Sequence, residues 1–134
     1  MKTFVFFVIA LLAVSCLKTG KDTYYIRTTG RVEISQVDIP KTSTVNQNVN
    51  LKARAEESSS CWSNLNFVLT KKKDFEYTME AFGIFESTGS CQDIKVYGDT
   101  TIVFKPTVTG QYVFKVTMSE TETESDTLNV VNEI

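Results

Sequence analysis

The sequence predicts an all-β fold, an antiparallel two-sheet β-sandwich of about seven to eight strands behind an N-terminal signal segment. Three observations carry this expectation. Apolar and polar residues alternate in run after run, the period of a strand with one buried face. Turn-forming residues interrupt the runs at roughly 8 to 15 residue spacing, as in a sandwich of short strands. Outside the first segment there is no helical periodicity, heptad, repeat or low-complexity stretch.

With 134 residues the chain has room for one domain. Lys2 precedes an uninterrupted apolar run from Phe4 to Val14, closed by Ser15 and Cys16. As a helix that run rises only about 16 Å, half of a hydrocarbon core of about 30 Å, so it reads as a secretory signal peptide. Its tail, Leu12-Ala13-Val14-Ser15-Cys16, resembles a bacterial lipobox, in which a small residue precedes a cysteine that is acylated and becomes the mature N-terminus. Ala13 stands where leucine is usual, and an ordinary cleavage site with small residues at Ala13 and Ser15 is the competing reading. The expected layout is a signal peptide over 1–15, a lipid attachment at Cys16 with a tether over 16–30, and the sandwich over 31–134.

Three cysteines are an awkward number for an exported protein. If Cys16 is acylated or removed, Cys61 and Cys91 remain as a pair, and an oxidising compartment favours a disulfide between them over two separate buried thiols. In the chain-entropy model such a bridge contributes about 3 to 4 kcal/mol.

Within the domain, Val32, Ile34, Val37 and Ile39 change phase at Ser35 and Gln36, which predicts a bulge or a strand that switches sheets before Pro40 ends it. Val45 to Ala55 alternates cleanly and predicts a half-buried strand. After a loop from Glu56 to Ser60, Leu65 to Thr70 predicts the next strand, with Lys71, Lys72, Lys73 and Asp74 as the turn. Phe75, Tyr77, Met79 and Ala81 predict its antiparallel partner, with a bulge near Gly83. Ser87 to Asp93 reads as a turn and Ile94 to Tyr97 as a short segment before Gly98.

Ile102 and Phe104, then Tyr112, Phe114 and Val116, flank a corner with Pro106 and Gly110. Tyr112 is placed to bury its ring while its hydroxyl reaches back to that corner. This resembles the tyrosine corner of immunoglobulin-like sandwiches; the plainer alternative is a hairpin with a core tyrosine. Leu128 to Val131 is the last expected strand, after a polar loop from Glu120 to Asp126.

Ser60-Cys61-Trp62, Gly89-Ser90-Cys91-Gln92, and Phe104-Lys105-Pro106 through Gly110-Gln111-Tyr112 together resemble small bacterial envelope lipoproteins of unknown function with a single immunoglobulin-like domain. The similarity covers roughly Pro40 to Val131. It implies the fold and the paired disulfide, and it carries no activity to transfer. An antibody domain bridges two facing strands; here the matching interior positions are Ala53 and Phe114, so the bridge has moved to loops.

Chemistry is sparse in the inventory. The chain has no histidine, the usual acid/base group near neutral pH and the commonest transition-metal ligand. A cysteine nucleophile lacks an imidazole partner, and there is no Gly-x-Ser-x-Gly elbow, Ser-x-x-Lys pair or phosphate-cradling glycine loop. The net charge of −2 offers no basic excess for nucleic acid. Glu120, Glu122 and Glu124 put three acids on one side of an extended strand, but they lack the spacing of a calcium loop and fit a solvated hairpin tip better. No catalytic residue, metal or cofactor is therefore expected.

Candidate partner-binding residues are Trp62, Lys71, Lys72 and Lys73, with Glu120, Glu122 and Glu124. Trp62 is either an exposed platform or, better favoured, a ring packed beside the disulfide. The expected function is a non-enzymatic lipoprotein of the cell envelope, held to the membrane through Cys16, whose domain binds a protein or glycan. The alternatives are a freely secreted assembly subunit that pairs through an edge strand and, least favoured, a small hydrolase or inhibitor domain using its acidic loops.

Overall fold

The computed structural model describes residues 24–134, so the signal segment and Cys16 lie outside the described residues. Eight strands follow in order, with no helix among the described residues: β1 (Ile26–Asp38), β2 (Thr42–Thr44), β3 (Val49–Glu57), β4 (Trp62–Lys73), β5 (Glu76–Ser87), β6 (Val96–Phe104), β7 (Gly110–Thr117) and β8 (Thr123–Val131). They form one curled sheet in the order β2-β8-β7-β5-β1-β3-β6, with β4 on β5.

The curl happens at β1. Ile26 to Val32 pairs with Ser87 to Ala81 of β5, whereas Glu33 to Asp38 pairs with Glu56 to Lys52 of β3, and the register slips between Ile34 and Gln36. The phase change at Ser35 and Gln36 thus marks a bulge and a change of partner together. An extra residue at a bulge adds twist, which is what turns the second half of the strand away from the first.

The inner faces of the two halves close over one core. Val32, Ile34, Leu51, Ala55, Met79, Ala81, Phe114, Val116 and Leu128 are all at most 2 % exposed. An aromatic group fills one end: Phe104 meets Tyr77 edge-on at 5.1 Å and Tyr112 at 5.4 Å, while Tyr77 stacks on Phe114 at 5.6 Å. Ala53 and Phe114, the interior positions named above, are both buried.

Several expected boundaries shift, each for a local reason. β1 opens at Ile26, so part of the stretch expected as tether pairs with β5. The sheet is not antiparallel throughout: β2 runs parallel to β8 and β5 parallel to β7. Parallel neighbours need a long crossover, and the excursion through β6 supplies one for β5 and β7. The lysines complete β4, and the turn is Asp74-Phe75, where Phe75 takes φ 61° instead of opening β5.

The bulge expected near Gly83 lies on the facing strand. Ser63 opposes Ile84 and Asn66 opposes Phe82, so Asn64 and Leu65 together face Gly83. Asn64 adopts φ 50°, a backbone angle asparagine tolerates better than most residues. Gly98 does not separate two segments, because β6 runs through it. Finally, β8 starts at Thr123, which puts Glu124 and Asp126 on a strand.

Candidate functional site

Cys61 and Cys91 form the disulfide, with Cα atoms 5.5 Å apart and a sequence separation of 30. Cys61 sits in the turn before β4 and Cys91 in the loop before β6, so the bridge is between loops. Hydrogen bonds support it on both sides: Ser60 N–H donates to the Gln92 carbonyl at 3.0 Å, and Gln92 N–H to Ser60 Oγ at 2.9 Å. Glu86 N–H also donates to the Cys61 carbonyl at 2.9 Å, tying the turn to β5.

The candidate binding residues fall in four separate places. Trp62 is half-buried beside the disulfide, its ring edge-on to Phe85 at 5.4 Å. A Cβ at Gly30 would stand 2.9 Å from the indole, so the absence of a side chain there makes its berth. Lys71, Lys72 and Lys73 lie at the other end of β4, about 36 Å away at 3.3 Å per residue. Lys71 binds Asp74 at 2.8 Å and Lys73 binds Glu76 at 3.3 Å, while Lys72 makes no ion pair among the described residues. The Lys71 ammonium holds the Asp74 carboxyl below its ordinary range, and Lys115, at 3.2 Å, does the same to Glu76.

Glu120 and Glu122 are exposed on the β7–β8 turn, where Met118 N–H donates to the Glu122 carbonyl at 2.9 Å. Glu124 goes elsewhere. It lines an open cleft of about 760 Å³ beside the place where β1 changes partner. The β1 wall is Ser35 to Asp38, β3 contributes Lys52 to Arg54, and β6 contributes Asp99 to Thr101. Met118, Glu124 and Asp126 form the remaining wall.

Strand register tells which side chains face inward here. Ala53 is buried with Leu51 and Ala55, and its cross-strand partners are Val37 and Thr100, so that row belongs to the inner face. On the opposite wall Asp126 pairs with buried Phe114 and Glu124 with buried Val116, so both carboxylates stand on core-facing positions where the curled sheet opens. On the outer face Arg54 grips Asp99 with two hydrogen bonds, at 2.7 and 3.2 Å, and lies 5.6 Å from the Tyr97 ring centroid. The guanidinium holds the Asp99 carboxyl below its ordinary range.

No protein-family model matches the chain, and neither a curated protein nor a solved structure matches it.

Among the described residues, no three cysteine, aspartate or glutamate side chains converge to hold a metal ion. The cleft offers carboxylates, two cations and unpaired strand edges, a chemistry of recognition by hydrogen bonds and charge. Asp38, Lys52, Arg54, Asp99 and Asp126 were not singled out from the sequence. The usable signal was the phase change at Ser35 and Gln36, since a strand that leaves its neighbour midway exposes an edge.

Proposed function

We propose that this protein is a non-enzymatic lipoprotein of the cell envelope, anchored through Cys16, whose immunoglobulin-like sandwich binds a protein or glycan partner. The observation that carries the proposal is the polarity of the domain. β1 starts at Ile26 opposite Ser87, at the end where Cys61, Cys91 and Trp62 lie. The β4–β5 turn lies at the other end of β5, about 36 Å away. There Phe75 packs against Tyr112 at 5.0 Å and accepts a hydrogen bond from Val113 N–H at 2.7 Å, joining that turn to the Pro106–Gly110 corner.

A chain tied to a bilayer just before Ile26 keeps its disulfide end near the membrane and offers the far end and the flanks to partners. The stretch from Cys16 to Ile26 reaches at most about 35 Å when extended. The immunoglobulin-like reading draws support from the tyrosine corner and from two sheet halves closing over one core. The parallel β5–β7 pair departs from that pattern.

The test is the intact mass of the protein isolated from its native envelope. A mature chain beginning at an acylated Cys16 and lacking two thiol hydrogens is expected. A different N-terminus, or no incorporation of a fatty-acid analogue, overturns the anchor. A second reading, a freely secreted assembly subunit that pairs through a strand edge, is favoured by β4 and β6, each of which has a strand partner on one side only. In that case the mature chain accumulates in the medium.

A further inference from the structure

From Glu33 to Asp38, the side of β1 away from β3 has no strand beside it. Among the described residues, the one backbone-to-backbone bond there outside the β3 ladder is Ile34 N–H to the Met118 carbonyl, at 3.2 Å. β8 is open in the same neighbourhood. β7 covers one of its edges from Thr123 to Val130, but β2 covers the other only from Asn129 to Val131.

Asn129 N–H donates to the Lys41 carbonyl at 2.8 Å, on the β2 side. Strand alternation then turns the backbone groups of Thr127, Ser125 and Thr123 to that same side. Thr127 N–H is taken by its neighbour's carboxylate, Asp126 Oδ1, at 2.8 Å. Ser125 and Thr123 have no backbone partner on that edge among the described residues. The cleft of about 760 Å³ lies between these two open edges, and β2 starts, at Thr42 opposite Asn129, where the uncovered part of β8 stops.

Residues lining the cleft include four acids, Asp38, Asp99, Glu124 and Asp126, and two bases, Lys52 and Arg54; register turns Glu124 and Asp126 inward and Arg54 and Asp99 to the outer face. Arg54 is spent on Asp99, and Lys41 reaches Asp126 from outside the lining. Asp38 and Glu124 make no ion pair among the described residues.

We infer that the cleft is a strand-addition site: an extended segment of a partner protein lies along β8 in line with β2 and sets a lysine or arginine against Glu124 and Asp126. Main-chain hydrogen bonds to an open edge supply affinity in this mode, and alternate side chains supply specificity. Charges that face inward also guard an open edge against unwanted strands. The same acids therefore choose the partner, repelling an acidic strand and drawing in a basic one. A second copy offering these same two edges fits poorly, because they carry Asp38, Glu124 and Asp126. The inference rests on the domain being a binding module and on nothing about its anchor.

The experiment uses the mature full chain and fluorescent peptides of sequence Thr-Val-Lys-Val-Lys-Val-Thr. Its controls are a counterpart with Glu in place of Lys, a form with alternate backbone nitrogens methylated, and free lysine. The lysine peptide is expected to bind at least about tenfold more tightly than the glutamate one. The methylated form should lose binding, and hydrogen exchange at Ser125 and Thr123 should slow on addition of the lysine peptide. Ser125→Pro removes an edge donor and should abolish binding. Glu124→Lys, which leaves the backbone alone, should erase or reverse the charge preference even if the proline variant fails to fold.

Equal binding of the lysine and glutamate peptides, unchanged binding of the methylated form, competition by free lysine, or no binding at all overturns the site. None of these outcomes touches the intact-mass measurement, so failure here and failure of the anchor are told apart.

Discussion

The Tyr112 hydroxyl donates to the Val108 carbonyl at 2.9 Å, four residues back along the chain. The ring beneath it is 5 % exposed and lies among Phe75, Tyr77 and Phe104. One side chain therefore fixes the corner and fills the core end. Tyr112→Phe keeps the ring and loses the hydrogen bond, at an expected cost of about 1 kcal/mol. Tyr112→Ala loses both, at about 3 to 5 kcal/mol. Urea unfolding of the two variants checks the split.

Two glycines let β4 approach its neighbours, and they should answer differently to the same rescue. A Cβ at Gly83 would stand 2.7 Å from Leu65 Cδ2, the far end of a flexible side chain, whereas one at Gly98 would stand 2.6 Å from Leu65 Cβ. Gly83→Ala and Gly98→Ala are each expected to cost about 1 to 3 kcal/mol. Adding Leu65→Ala removes the first clash and keeps the second. Double-mutant cycles should show favourable coupling for the Gly83 pair and none for the Gly98 pair.

Loss of the loop bridge should destabilise without changing the strands. Replacing Cys61 and Cys91 together by serine is expected to cost roughly 2 to 4 kcal/mol. The far-ultraviolet spectrum of the folded variant should stay the same, because both cysteines lie outside the strands. Denaturant midpoints with and without reductant, on the parent and the variant, provide the comparison.

A pH response follows from Glu57. Its carboxyl is raised above the ordinary value, chiefly by burial, with the Glu33 charge adding to it and a hydrogen bond from the Glu33 backbone opposing it. A carboxyl raised on folding binds its proton more tightly in the native state. Its opposition to folding therefore sets in as pH climbs past the ordinary value and is complete above the raised native one. Glu57→Gln should raise the melting temperature at pH 7, with the gain shrinking as pH falls through the raised native value and gone once pH lies below the ordinary carboxylate range. Asp74, Glu76 and Asp99 are shifted downward by Lys71, Lys115 and Arg54, and act in the opposite sense. Their stabilisation is present near neutrality and fades on acidification, so the melting curve of Asp99→Asn should meet that of the parent at low pH.

Local alternation made β3 and β7 legible, because each has one buried face and one neighbour arrangement along its length. The bulge in β1 was also legible, since it moves apolar residues out of phase. Phe75 was misread because its ring packs on Tyr112 from a turn with positive φ, a placement that mimics the next step of strand periodicity. Glu124 and Asp126 looked like loop acids, yet they extend β8 because Val116 and Phe114 lie across from them. The cleft was invisible for a similar reason. Its walls come from four strands and the β7–β8 turn, and no local pattern records which edges remain uncovered.

The seven residue pairs from Ile26↔Ser87 to Val32↔Ala81 join strands that run in opposite directions. Tension applied at Ile26 and resisted at the β4–β5 turn would slide β1 along β5, loading all of those rungs together instead of peeling them one by one. A domain tugged between its root and its tip in this way bears force in shear, and would yield only when the whole row gives.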